Sequence, residues 1–144
     1  MGNEAETEIR AAIADRVRAV REKNVEGLLA HYVPEVATFD LVAPLRNLGA
    51  AAVRNRVSEW FASFRTAIDY EIRDANVSTA GDVAFDHHLT HVRGTSQSGD
   101  SIDMWFRETV GYRRMGGRWL VTHQHSSVPL DMNGGRGLLD LQPD

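Results

Sequence analysis

Asp40 stands inside an apolar run, Ala37-Thr38-Phe39-Asp40-Leu41-Val42. A carboxylate drawn into an apolar strand loses its water, which raises its pKa and makes it a base able to work near neutral pH. The plainer alternative is that the strand ends early and Asp40 faces water or caps the next turn. Arg16 is a second anomaly. It follows Ile13 by three residues and adjoins Val17, so it lies at the edge of an apolar helical face instead of opposite it. Its stem could cover apolar surface while its head reaches solvent, or its head could point into a cavity, where it would need a carboxylate partner.

Five of the six histidines fall late in the chain: His87, His88 and His91 in one segment, His123 and His125 in another. In strands, His87 with His91 and His123 with His125 would share a face. Such pairs suit a metal in principle. The chain has neither a cysteine nor a His-Glu-x-x-His helix, and imidazoles hydrogen-bonded in a polar cavity or at a dimer face explain the same pattern, so no metal is expected. Trp105, Arg107 and Thr109 alternate with Met104, Phe106, Glu108 and Val110. If the first series faces a cavity, Arg107 could bind an anion or pair with Asp40; otherwise it is a surface charge opposite a cross-strand acid. Trp60 and Trp105 are candidates for core or pocket wall. There is no Gly-x-Ser-x-Gly elbow and no phosphate loop.

These side chains need elements to hold them. Ile9, Ile13, Val17 and Val20 repeat at helical spacing and predict a helix from Glu6 to Lys23, with Thr7 near its start and Asn24 just past its end. Val25, Leu28, Leu29 and Tyr32 predict a short second helix stopped by Pro34. Val36 to Val42 reads as a strand, and Ala50 to Phe64 as a third helix with an aromatic face containing Trp60. From there the period changes to two. Ile68–Val77, Val83–Val92, Ser101–Arg113 and Arg118–Val128, parted by glycine-containing turns, predict a run of antiparallel hairpins. Helices first and a meander afterwards give an α+β fold, a curved antiparallel sheet with three N-terminal helices over its concave face and a pocket between the layers. The tail, 131–144, reads as a loosely held extension.

With 144 residues the chain is long enough for one domain with a sizeable core, 1–144, its core about 6–130. Sixteen basic against twenty acidic residues give a net charge of −4, which disfavours nucleic acid as a partner. The absence of cysteine removes thiol nucleophiles and disulfides. An acidic N-terminus and the lack of a long apolar run lead to the expectation of a cytoplasmic protein with no membrane partner.

The strand Ala37-Thr38-Phe39-Asp40 and the closing stretch Gly117-Arg118-Trp119-Leu120-Val121-Thr122-His123-Gln124-His125-Ser126-Ser127 resemble the nuclear transport factor 2-like superfamily. More narrowly, they resemble its SnoaL-like, ketosteroid isomerase-related proteins. The resemblance implies a cone-like cavity between helices and sheet and a homodimer through the outer sheet face. It places Asp40 on the ketosteroid isomerase base, Arg16 on that enzyme's oxyanion-hole tyrosine and Thr109 on its protonated aspartate. In that isomerase the oxyanion is held by a tyrosine and by an aspartic acid that its apolar site keeps protonated. It also directs His87, Leu89 and His91 inward. For the last strand, either Thr122, Gln124 and Ser126 line the pocket, or a β-bulge turns His123 and His125 inward.

The expectation is therefore a cofactor-independent isomerase, cyclase or lyase acting on a carbonyl-containing hydrophobic small molecule. Asp40, His87 and Arg16 would be catalytic, and Tyr32, Trp60, Leu89, His91, Trp105, Arg107, Thr109, His123 and His125 would line the site. The alternative is a noncatalytic ligand-binding or dimeric association module.

Overall fold

A computed structural model describes residues 4–144. The elements are α1 (Glu4–Arg21), α2 (Val25–Leu29), β1 (Tyr32–Phe39), β2 (Asn47–Leu48), α3 (Ala50–Ala62), β3 (Asp69–Ala80), β4 (Val83–Thr95), β5 (Ser101–Met115), β6 (Arg118–Ser127), β7 (Leu130–Asp131) and β8 (Arg136–Gly137). The first six strands form one sheet in the order β2-β1-β6-β5-β4-β3.

The break between α1 and α2 is built locally. Lys23 takes a left-handed conformation, φ 54°. Asn24 then caps α2, its side-chain oxygen accepting from Gly27 N at 2.9 Å and satisfying one of the free amides at the helix start. α2 stops at Leu29, three residues earlier than its apolar spacing suggests, and Tyr32 opens β1 instead. Pro34 thus lies within a strand. It falls where the β1–β6 register shifts, between Tyr32 and Ala37, so its missing N–H breaks no ladder bond there.

β3 to β6 form the expected antiparallel meander. The sheet as a whole is mixed, however, because β1 runs parallel to β6. That pairing joins segments nearly ninety residues apart, and no local pattern announces it. β1 also begins earlier and ends earlier than the predicted strand, which leaves Asp40 one residue beyond it.

The helices cover one face of this sheet, α1 over β3 and α3 over β1. Ile9 of α1, Val33 and Val36 of β1, Val110 of β5 and Val121 of β6 are fully buried between the layers. The tail is not wholly irregular: β7 and β8 make a small hairpin, and Leu138 N donates to Pro129 O. Among the described residues no helix is long and apolar enough to cross a membrane.

Candidate functional site

Between the helices and the sheet lies a cavity of about 150 Å³. α1 contributes Arg16, Val17 and Val20; α3 contributes Val53, Arg56, Val57 and Trp60; Tyr32 and Asp40 come from β1 and the loop after it. Most of the wall is apolar. Its polar groups fall into two sets, one at the Asp40 loop and one deep on the sheet.

At the loop, Leu41 N donates to Asp40 Oδ1 at 2.6 Å, and Arg56 Nε lies 2.8 Å from Asp40 Oδ2. The two side chains are 25% and 22% exposed, so this ion pair is half sheltered. The Arg56 Nε–H is not aligned on the carboxylate and makes no hydrogen bond. Asp40 therefore belongs neither to a desolvated strand nor to open solvent. It sits at the cavity edge with a cation beside it.

The deeper set follows from strand register. His88, Glu108 and Ser126 are cross-strand neighbours on β4, β5 and β6, and Asp86 and Thr90 flank His88 on the same face. His88 Nδ1 donates to Asp86 Oδ1 at 2.5 Å, and His88 Nε2 donates to Glu108 Oε1 at 3.0 Å. Thr90 and Ser126 hydroxyls donate to Glu108 at 2.7 and 3.0 Å, and Gln124 Nε2 donates to its second oxygen. Tyr32 OH in turn donates to Gln124 Oε1 at 2.5 Å.

Burial opposes the charge on His88, but its hydrogen bonds to Asp86 and Glu108 outweigh that and raise it to about 9. Burial likewise pushes the Glu108 carboxyl up, and His88, Thr90 and Gln124 overcome it, holding it at about 2. At neutral pH the centre is thus an imidazolium with both N–H groups occupied, set between two carboxylates. Glu108 accepts four hydrogen bonds and is a poor base. Burial pushes the Tyr32 hydroxyl up to about 12, so it remains a neutral donor.

Arg16 completes the network from α1. It is 7% exposed, and its Nη2 donates at 2.8 Å to Tyr112 OH, which donates to Asp86 Oδ2 at 2.5 Å. Burial disfavours its charge, but Tyr112, Tyr32 and Asp86 more than offset that penalty. Its stem does not carry the head out to solvent. The second terminal nitrogen, Nη1, is buried without a hydrogen-bond partner.

Of the residues expected at the site, Asp40, Arg16, Tyr32 and Trp60 line the cavity. The others do not. His87, Leu89 and His91 of β4 and Trp105, Arg107 and Thr109 of β5 lie on the opposite face, because Asp86, His88 and Thr90 and then Phe106, Glu108 and Val110 turn inward. His91 instead stacks on Trp105 at 4.3 Å between Glu71 and Asp103, and Arg107 Nε donates to Ser127 Oγ at 3.1 Å. Thr109 is exposed on that face and so cannot fill the place of an oxyanion donor in the cavity.

On β6 the inward residues are Gln124 and Ser126. A bulge does exist, with Thr122 as the extra residue opposite Gly111 and Tyr112. It turns Trp119 and Val121 into the core below and leaves His123 and His125 outside above, where both meet the Phe39 ring edge to face. No group of His, Asp and Glu among the described residues is placed to hold a metal ion.

Arg56, His88 and Glu108 are the site residues that the sequence reading passed over. Arg56 had a usable signal: it falls at helical spacing with Val53, Val57 and Trp60, a cation within an apolar stripe, as Arg16 does. Glu108 is likewise an acid between Phe106 and Val110 on an alternating strand.

The chain resembles known proteins along most of its length. Residues 9–131 match the model of the SnoaL-like domain. A nuclear transport factor 2-like protein of unknown function from Pseudomonas putida is 34% identical, with 96% of each chain covered and a TM-score of 0.88. A ketosteroid isomerase-like protein from Erwinia carotovora shares the fold at 21% identity and a TM-score of 0.75, over 87% of this chain and 96% of that one. A nuclear transport factor 2-like superfamily protein from Salmonella enterica does so at 14% identity and 0.80, over 96% and 100%. No curated protein matches in sequence. The chain is a member of the SnoaL-like domain family, with the nuclear transport factor 2-like fold.

Proposed function

We propose that the chain takes a small, mostly apolar carbonyl compound into this cavity and that Asp40 moves a proton at the carbon beside the carbonyl. The observation that carries this reading is the meeting of Asp40 with the Arg16 and Arg56 guanidiniums on one apolar-walled cavity. Asp40 takes the proton, the C–H electron pair moves toward the carbonyl oxygen, and a guanidinium N–H donates to the developing oxyanion. Returning the proton to another carbon gives isomerisation, attack of the carbanion on a second carbonyl gives cyclisation, and expulsion of a β-substituent gives elimination. Each balances without an oxidant. The ketosteroid isomerase-like name of one structural neighbour points toward the same chemistry by analogy of fold alone.

Asp40 is the candidate base because the alternatives are spent. Glu108 is saturated by donors, and both nitrogens of His88 are engaged. The test is hydrogen–deuterium exchange of cyclohexenone and acetophenone in D2O, followed by NMR. The wild-type chain should accelerate exchange beside the carbonyl, and Asp40→Asn should lose roughly 10² to 10⁴ of that rate. Equal rates in the two proteins would remove Asp40 from the mechanism.

A second reading, a noncatalytic binding or association module, is favoured by that same saturation of the deep network, which leaves one partly exposed carboxylate to do all the chemistry. A homodimer through the outer sheet face, where Leu89, the His91–Trp105 stack and Arg107 lie, accompanies either reading. Sedimentation at micromolar concentration should give twice the chain mass; a monomer would exclude it.

A further inference from the structure

We infer that the molecule held in this cavity is an organic acid of about six to ten heavy atoms, with its carboxylate received by Arg16. The inference rests on the cavity being the ligand site, as proposed above, and on nothing in the chemistry of Asp40.

The balance of donors and acceptors leads to it. Every carboxylate oxygen near the cavity already has partners: Asp40 has Leu41 N and Arg56, Glu108 has four donors, and Asp86 has His88 and Tyr112. Gln124 is engaged at both ends. The buried polar atom left without a counterpart among the cavity's lining residues is a cationic N–H donor, Arg16 Nη1; Arg56 Nε, though it makes no hydrogen bond, is taken up by its ion pair with Asp40 Oδ2 at 2.8 Å. A buried donor without a partner costs free energy, and more when it is charged. The other two orphaned nitrogens, on Asn47 and Trp119, belong to residues that do not line the cavity. A ligand that fits must therefore bring acceptors to guanidinium, and a carboxylate matches that geometry and charge.

Size and the remaining wall fix the rest of the molecule. A cavity of about 150 Å³ is the volume that accepts one benzene ring. Val17, Val53, Val57, Trp60 and Phe106 surround such a body with apolar surface. A steroid skeleton exceeds this space, whereas a benzoate or a short branched acid fills it. With the carboxylate on Arg16, Arg56 remains beside Asp40 as the donor for charge developing elsewhere on the ligand.

The experiment compares benzoate with benzamide and hexanoate with hexanamide by calorimetric titration at neutral pH, with 13C-methyl methionine spectra locating the bound molecule through Met104, which lines the cavity. The acids should bind roughly tenfold or more tightly than the amides and shift the Met104 methyl. Arg16→Gln should erase the preference, and Arg107→Gln, on the outer face, should keep it. Amides binding as tightly as acids, or acids binding without moving Met104, would overturn the inference; if cyclohexenone still moved Met104, the cavity would stand as a ligand site for neutral carbonyl compounds. If neither acids, amides nor cyclohexenone moved it, both readings would fall. Should Arg16→Gln not fold, the wild-type comparison of acid with amide decides.

Discussion

The stability of the fold should fall with rising pH through the titration of His88. Its imidazolium is 5% exposed and donates to Asp86 at 2.5 Å and to Glu108 at 3.0 Å. Folding raises it from 6.5 to about 9. Because the folded value is the higher one, the stabilisation is fully present below pH 6.5 and is lost as pH rises through 9. At 1.36 kcal/mol per pH unit the loss totals about 3 kcal/mol, a sizeable share of the roughly 5–15 kcal/mol that holds a domain together. Glu108 shares the same contact, so its own contribution is not added to this figure. His31 does not interfere, since burial pushes it below 6.5 and its titration lies on the acid side. Guanidinium chloride unfolding at intervals from pH 6 to 10 measures the effect directly. His88→Gln should be less stable than wild type by about 3 kcal/mol at pH 6.5, having left two buried carboxylates without their cation, and its stability should be nearly flat up to pH 9. A wild-type curve flat across that window, or a His88→Gln curve that keeps the wild-type slope, would refute the buried imidazolium.

Further outcomes follow from other parts of the molecule. Glu108 contributes to the acid limb: with its folded value held at about 2 against an ordinary 4.5, it adds stability above pH 4.5 that fades as pH falls toward 2, and Glu108→Gln should make this limb shallower in acid unfolding curves, leaving the part that His31 and Asp15 carry. Gly94→Ala should cost about 1–3 kcal/mol in denaturant unfolding, because the added Cβ would stand 2.8 Å from Cδ2 of the buried Phe64 ring. Asn24→Ala should cost about 1 kcal/mol in the same assay by removing the α2 cap.

The elements were largely legible because their signals are local. α1, α3 and the four long strands announce themselves by period, and the turns between strands carry glycine. What escaped was the face. On β4 and β5 both parities contain polar residues; the family resemblance directed His87 and His91 inward and set Thr109 at an oxyanion position, and letting the more polar series of β5 face a cavity put Arg107 inside. The cavity wall is instead mainly apolar, and apart from Arg16 Nη1 its charged groups meet partners within the protein, so the inward series of β5 is the more apolar one, Phe106 and Val110 around Glu108. Asp86, His88 and Thr90 can be buried because Glu108, Tyr112 and Arg16 arrive from β5 and α1 to satisfy them. That complementarity spans nearly a hundred residues of sequence and no spacing rule encodes it. The parallel β1–β6 pairing was hidden for the same reason. Asp40 was visible because a lone carboxylate after four strand-forming residues is a local event; its partner Arg56 sat on a helix face already assigned to packing.

The proposed function requires that ligands enter the inner cavity and not the outer sheet face. The four methionines allow a direct measurement, since Met104 lines the cavity while Met115 and Met132 are 41% and 86% exposed elsewhere. In a 13C-methyl methionine titration with cyclohexenone and benzoate, a saturable shift of the Met104 methyl is expected, with Met115 and Met132 unmoved. A spectrum in which Met104 stays fixed while ligand binds, with the perturbation instead appearing in the Trp105 indole on the outer face, would contradict it.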